Sequence, residues 1–383
     1  MRRAIFLVLA AGGSTMLAAG CGAPGRGEPA DEAGLEAFRK GDFERAESLL
    51  RDARDAVSLR VKARIHLLHN RCREAAGLLE QAVRADPRDP SAYQELAAAY
   101  VRADDFRNAS RWYGLLGDQT MARKCEALGR RVSFVVEAPP EGVRIPYAAA
   151  DPVPAVEMSV NGRTGTFLVD TGTGEITLGR EFAARARVSV FGIRTAAYEK
   201  GLDEAILDEV ALGALRVRNL PARLGAPPPT PGLHADGVIG LSFLVRFDFT
   251  LDERRGRLVL CRPGSPPEAP GAAPGIPAIL AGEGRLLVRG KLNGAAETFA
   301  GLATGLPGVA VAAPEAILQS RDGEVRELEV GPIRLARPRL DTRAFPPGLD
   351  VACGFPVGFV LGREALKGRS LRLDPRAMRL WID

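Results

Sequence analysis

The amino-acid sequence predicts a multidomain chain: an array of α-helical repeats followed by an all-β region made of two matching lobes. Three observations carry this. Residues 31–130 place apolar and small side chains at helical spacing around three recurring alanines, Ala46, Ala75 and Ala109. Residues 151–383 break into short runs rich in β-formers and bounded by Gly and Pro. Within those runs one unit occurs twice. Val238-Ile239-Gly240, Leu244, Leu251-Asp252 and Arg257-Leu258 return as Val360-Leu361-Gly362, Leu366, Leu373-Asp374 and Arg379-Leu380, each pair 122 positions apart. A register held over that many positions is an internal duplication.

The 383 residues exceed one typical domain and can bury ample core. Lys and Arg number 52 against 47 Asp and Glu, a formal charge of +5. The basic residues are nearly all Arg and are mixed with acids. No basic run interleaves with aromatics, which argues against a nucleic-acid ligand.

At the amino terminus Arg2-Arg3 precedes an apolar run, Ala4 to Ala11, too short to span a bilayer. It leads to Leu17-Ala18-Ala19-Gly20-Cys21. This resembles a bacterial lipoprotein processing site, with Ala18 where Leu is commoner. The resemblance implies that residues 1–20 are a lipoprotein signal peptide and that Cys21 is the lipidated first residue. It further implies a lipid-anchored protein of the bacterial cell envelope, on the periplasmic face or the cell surface. The alternative is an ordinary secretory signal with a chance Cys. Residues 21–30, rich in Gly and Pro, read as a flexible tether.

Residues 31–130 follow. Phe43 and Ala46 with Leu49-Leu50, Glu74-Ala75 with Leu79 and Ala82, and Phe106 and Ala109 with Tyr113 share one spacing. The alanines are 29 and then 34 residues apart, and Asp86-Pro87 closes one helix. The pattern resembles tetratricopeptide repeats, which implies a surface for a protein partner; a generic array of α-hairpins is the alternative. His66 and His69 have no third ligand nearby and read as structural. No metal or cofactor is expected. Once Cys21 is set aside, Cys72, Cys125, Cys261 and Cys353 remain. They allow three disulfide connectivities, or four separate buried thiols, and the sequence does not choose.

Pro139-Pro140 and Pro152-Val153-Pro154 mark a connector. A first lobe is expected over 151–263 and a second over 276–383, separated by the Pro/Gly-rich stretch Gly264–Gly275. Glu209-Val210-Ala211-Leu212-Gly213 is echoed by Glu327-Leu328-Glu329-Val330-Gly331, and Asn161-Gly162 and Phe167 by Asn293-Gly294 and Phe299.

The chemistry points to Asp170-Thr171-Gly172. The apolar run Phe167-Leu168-Val169 delivers a lone carboxylate into a Gly-rich turn, where small residues let a second backbone approach. Asp236-Gly237-Val238-Ile239-Gly240 follows at a distance. Together these segments resemble the aspartic peptidases of the retropepsin and pepsin type. The resemblance implies a bilobal acid-protease fold and a catalytic role for Asp170, Thr171 and Gly172, with the apolar-apolar-Gly segment crossing behind. It also implies a flap over the cleft from the first lobe alone, with Tyr198 covering Asp170.

The duplication exposes a departure. The second lobe reads Ala303-Thr304-Gly305: Thr and Gly survive, and the carboxylate does not. Phe167 precedes Asp170 by three residues and Phe299 precedes Ala303 by four, so the alignment slips by one there. Two carboxylates sharing a proton divide the work of base and acid. Without the second, a single chain is expected to be a poor peptidase or an inactive one, since a positioned acid or base is worth about 10²–10⁴ in rate. Two functions follow. One is an envelope aspartic peptidase whose cleft engages extended polypeptide, with Asp170 as the retained carboxylate and a second Asp170 drawn from another chain. The other is a pseudopeptidase that binds polypeptide through cleft and helical repeats without cutting it.

Overall fold

The computed structural model describes residues 29–194, 202–265, 274–282, 284–294, 296–318, 324–341, 345–346 and 348–383. Cys21, Tyr198 and most of the Gly264–Gly275 stretch lie outside the described residues.

The described chain begins with α1 (Pro29–Arg39), α2 (Phe43–Leu49), α3 (Ala56–Leu68), α4 (Cys72–Ala85), α5 (Pro90–Arg102), α6 (Phe106–Leu115) and α7 (Gln119–Gly129). Aspartates start most of them. The side chains of Asp42, Asp55, Asp105 and Asp118 each accept the backbone N–H three residues on, and Asp89 accepts that of Ser91. Each such cap is worth about 1 kcal/mol. Ala46, Ala75 and Ala109 lie on α2, α4 and α6 and are fully buried. A methyl side chain there lets neighbouring helices approach closely.

The connector between the helices and residue 151 carries two strands, β1 (Val135–Glu137) and β2 (Val143–Pro146). They join sheets of the β region, pairing with β8 and β11 below. The first lobe continues with β3 (Ala155–Val160), β4 (Arg163–Val169), β5 (Ile176–Leu178), α8 (Arg180–Arg185), β6 (Ser189–Ile193), β7 (Asp203–Leu212), β8 (Leu215–Leu224), β9 (Gly237–Ile239) and α9 (Leu241–Leu244). Then come β10 (Asp248–Asp252) and β11 (Arg257–Cys261). The second lobe holds β12 (Ile276–Ala281), β13 (Arg285–Leu292), β14 (Ala296–Leu302), β15 (Ala310–Ala312), α10 (Pro314–Leu318), β16 (Glu327–Val330), β17 (Ile333–Ala336), α11 (Leu349–Cys353), β18 (Val357–Leu361), α12 (Arg363–Leu366), β19 (Ser370–Asp374) and β20 (Arg379–Ile382).

The duplication is written into the pairing. Strands β2-β11-β10-β19-β20-β12 form a continuous path. At its centre β10 runs antiparallel to β19, with Phe249 opposite Leu373, Thr250 opposite Arg372 and Leu251 opposite Leu371. Thr250 thus faces the residue 122 positions on, and its neighbours swap partners about it. A strand that pairs antiparallel with its own duplicate in this register has a local two-fold axis between Thr250 and Arg372. The outer strands repeat the relation. Ile145-Pro146 pairs with Leu258 and Arg257, and Ile276-Pro277 with Leu380 and Arg379.

The one-residue slip has a local cause. Val160 pairs with Arg163 across Asn161-Gly162, both at positive φ (49° and 77°), which is the type I′ hairpin that Asn-Gly favours. Asn293 and Gly294 repeat those angles (53° and 70°), but Leu292 pairs with Ala296, one residue farther on. The counterpart of Phe167 is therefore Ala300, not Phe299. Phe167 lies opposite Gly237 and Ala300 opposite Phe359, which are 122 apart. Phe299 instead takes the place of Thr166, on the other face of the strand.

One apolar core runs through both lobes. The helices close two further surfaces. Phe38 and Phe43 of the first two helices pack on Phe299 and Phe355 of the second lobe. Ring centroids lie 5.5 Å apart for Phe43 and Phe299 and 5.0 Å for Phe43 and Phe355. At the other end α7 packs on β6 and β7, with Ile206 and Phe191 joining the helical core. Cys72, Cys125, Cys261 and Cys353 are buried free thiols. Among the described residues no helix is long and apolar enough to cross a membrane.

Candidate active site

Buried Phe167, Leu168 and Val169 make β4 a fully enclosed strand end, and the parallel neighbour β9 fixes its height. The Asp170 N–H donates to Ile239 O at 3.1 Å, which places the carboxylate at the tip of the strand. In the second lobe the Ala303 N–H donates to Leu361 O at 3.0 Å. Ile239 and Leu361 are 122 apart, so Ala303 occupies the position related to Asp170 by the two-fold axis. The glycines behind both turns are obligatory. A Cβ on Gly240 would strike the carbonyl of Gly174, and one on Gly362 the carbonyl of Gly308.

The two turns hold each other. Thr171 Oγ1 donates to Leu302 O (2.7 Å) and accepts the Thr304 N–H (3.3 Å). Thr304 Oγ1 donates to Val169 O (2.8 Å) and accepts the Thr171 N–H (3.1 Å). Four buried hydrogen bonds, related in pairs, lock lobe to lobe. Losing one hydroxyl leaves a buried carbonyl and a buried N–H without partners, at about 1–3 kcal/mol each.

Asp170 sits in this lock with 7% of its surface exposed. Its Oδ1 accepts the N–H of Gly172 at 2.8 Å and the N–H of Gly305, across the lobe interface, at 2.9 Å. Its Oδ2 accepts the Thr173 hydroxyl at 2.6 Å. Every partner is a donor. The Gly305 amide stands to Ala303 as the Gly172 amide stands to Asp170, so a donor placed to serve a second carboxylate serves Asp170 instead. A Cβ on Gly305 would lie 2.5 Å from Asp170 Cγ, and one on Gly172 would lie 2.7 Å from Ala303 Cβ. Ala303 is 5% exposed and belongs to an apolar cluster that includes Phe299, Val311 and Val360 with Phe38, Phe43 and Leu50 of the helices. On the first lobe the equivalent face, with Leu168 and Val238, packs among the described residues against the lobe's own segments around Val153, Leu233 and Ala235.

The sequence-expected residues Asp170, Thr171, Gly172, Ala303, Thr304 and Gly305 thus meet at one interface. Asp236 serves its own lobe: its carboxylate accepts the Thr166 N–H at 3.0 Å and pairs with Arg185 at 3.0 Å. Sequence reasoning missed Lys124. It is 1% exposed and reaches from α7 to Glu204 Oε2 (2.5 Å), Glu175 Oε2 (3.2 Å) and Ala222 O (3.1 Å). Burial alone would push this ammonium down; Glu175 and Glu204 outweigh it and hold it above the usual lysine range. Glu175 directly follows the Asp170–Gly174 turn, so a helix side chain braces the turn from outside. A lone Lys within a helix gave no signal for this. Among the described residues no cluster of His, Cys, Asp and Glu could hold a metal ion.

Residues 156–246 match the family model of the gag-polyprotein putative aspartyl protease. This stretch is a retropepsin-like aspartic protease domain, and it contains both Asp170-Thr171-Gly172 and Val238-Ile239-Gly240. Among solved structures, a retropepsin-like aspartic protease from Rickettsia conorii is 23% identical, with a TM-score of 0.25, over 34% of this chain and 94% of that one. No curated protein matches.

Proposed function

We propose that this protein is a pseudopeptidase of the bacterial envelope: its acid-protease cleft engages extended polypeptide and does not cut it. The observation that carries the reading is the environment of Asp170. General acid–base hydrolysis needs a second titratable group able to share or return a proton. At the related position stands the methyl group of Ala303, and the amide that would serve a second carboxylate already serves Asp170. The threonine lock keeps the two turns together, which supports a cleft that survives without turnover. It also argues against a second Asp170 from another chain, because Thr304 and Gly305 fill the face such a chain would need.

In this proposal Cys21 carries the lipid and residues 1–20 are the signal. The helices are tetratricopeptide-like and offer a second surface to a protein partner. The packing of each helix from α3 to α7 on the next, and the buried alanines at 46, 75 and 109, favour that assignment. The intact Asp170-Thr171-Gly172 turn is what favours the other reading, a weak peptidase. Cleavage of casein and a peptide library across acid and neutral pH decides between them, alongside binding of the same peptides. The expected result is peptide binding that persists in Asp170→Asn, with no cleavage by either protein. Asp170-dependent turnover by the wild-type monomer would overturn the proposal. Intact-mass analysis of membrane-extracted protein tests the lipid on Cys21.

A further inference from the structure

We propose that the cavity between the helical array and the β lobes binds a polyanion, a small ligand or short peptide carrying several carboxylate or phosphate groups. The cavity encloses about 640 Å³, in the range of small-molecule sites. Its walls come from three parts of the chain. Helices α4 and α5 supply Arg73 and Arg102. The first lobe supplies Arg246. The β19–β20 turn of the second lobe supplies Arg376.

The cavity lining holds more arginines than carboxylates, the latter being Glu74, Asp104 and Glu175. Arg246 is neutralised by a two-pronged pair with Asp104, one arm at 2.7 Å. Among the described residues no carboxylate pairs with Arg73, Arg102 or Arg376. Arg102 is the telling one. One arm donates to Leu67 O at 2.8 Å, and the rest of the guanidinium borders the cavity. Burial pushes its pKa below the ordinary arginine range; Cys72 opposes this and the nearby Arg246 adds to it. Arg102 is half-buried, so the guanidinium donors that Leu67 does not take face water rather than protein. A planar guanidinium left with free donors is the side chain best shaped to take a carboxylate or phosphate. An anion there would bridge the helices and the second lobe, where one direct polar link, Asn70 Nδ2 to Pro375 O at 3.3 Å, already crosses. Glu175, Leu241 and Ser242, which border the back of the Asp170–Gly174 turn, also line this cavity, but Asp170, Thr171 and Gly172 do not, and the proposal stands whether or not the protein cleaves peptides.

The test is isothermal titration of the full-length protein with sodium pyrophosphate, sodium citrate and a hexapeptide of alternating Asp and Glu, at about 0.15 M salt to screen diffuse attraction. Thermal melts of the same mixtures run alongside. Expected is saturable one-to-one binding of at least one of the three, with a rise in Tm. Binding should weaken roughly tenfold or more in Arg102→Gln, the effect of losing charge-assisted hydrogen bonds. Arg376→Gln lies on an exposed turn, so it keeps the fold intact and should weaken the same ligand. Preference for pyrophosphate, citrate or peptide identifies the anion's source. Failure of all three to bind saturably, or binding unchanged in both variants, would overturn the proposal.

Discussion

Restoring the missing carboxylate is the sharpest perturbation available. Ala303→Asp places an acid where the two-fold axis asks for one. Its backbone is already held like that of Asp170, by an N–H bond to Leu361 O at 3.0 Å against 3.1 Å to Ile239 O. Its Cβ already sits beside Gly172, which has no side chain to obstruct it. The Gly305 amide, now on Asp170 at 2.9 Å, stands to the new carboxylate as the Gly172 amide stands to Asp170, so the two acids would compete for it. Two ionised carboxylates about 4 Å apart repel by about 4 kcal/mol at an effective dielectric near 20. At about 1.4 kcal/mol per pH unit, that separates their two proton losses by roughly three units. The pair therefore keeps one shared proton over a window above the ordinary Asp range, which is the state acid–base hydrolysis uses. Cleavage of a casein or peptide-library substrate should rise about 10²–10⁴-fold over wild type on the acid side of neutral and vanish in Asp170→Asn/Ala303→Asp. Stability gives an independent readout. The native pair holds its second proton more tightly than the unfolded chain does, so the penalty is absent below the unfolded Asp pKa and grows as pH rises through the folded one. The Tm gap to wild type should be small near pH 4 and wide at pH 7. A folded Ala303→Asp variant that shows this pH-dependent gap yet cleaves nothing would refute the reasoning that one carboxylate is all the site lacks.

Other outcomes follow from the same structure. Thr171→Val removes one donor and one acceptor of the interlobe lock and should cost roughly 2–4 kcal/mol, read as a lowered denaturant midpoint. Burial pushes the thiols of Cys125 and Cys353 up to about 12, so a thiol reagent at pH 8 should label them only after denaturant is added. Burial raises the Asp252 carboxyl, but the Arg255 N–H and the side chains of Arg255 and Arg257 outweigh it and hold the group below its usual range. A lowered folded pKa stabilises above the unfolded value and is lost as pH falls through the folded one. Asp252→Asn should therefore cost stability at pH 6 and nearly none at pH 2, in paired denaturant titrations.

What the sequence made legible was whatever repeats or recurs locally. The 122-residue offset is visible because both copies of Leu-Asp and Arg-Leu serve the same strand-pairing geometry about Thr250 and Arg372. Helix existence was legible from apolar spacing, and the Asp caps reinforce it. The slip at Phe299 was visible but not its consequence. That Phe faces Phe43 across a sequence gap of more than two hundred residues, and no local pattern encodes such a contact. The strands at 135–137 and 143–146 were hidden between prolines, because their partners, β8 and β11, lie far along the chain. Lys124 was hidden for the same reason: its meaning comes from Glu175 and Glu204, which only folding brings to it.

The lock between the lobes also bears on whether a site can form between chains. A site assembled from two copies requires the Asp170 turn of one chain to meet that of another. Here the Thr171 hydroxyl and amide are already engaged by Thr304 and Leu302 of the second lobe. Gly305 approaches Asp170 so closely that a single added carbon would collide with it. To dimerise through this face the chain would first have to part its own lobes, forfeiting four buried hydrogen bonds and the β10–β19 pairing. Any Asp170-dependent activity restored by Ala303→Asp should therefore be a property of one chain. Its specific activity should stay constant on dilution over about three decades of concentration, since only an intermolecular site loses occupancy by mass action. Mixing Ala303→Asp with an excess of Asp170→Asn should leave the rate per active chain unchanged. A specific activity that falls on dilution, or poisoning by the inactive partner, would show that the lobes exchange between chains, and the intramolecular site argued above would have to be abandoned.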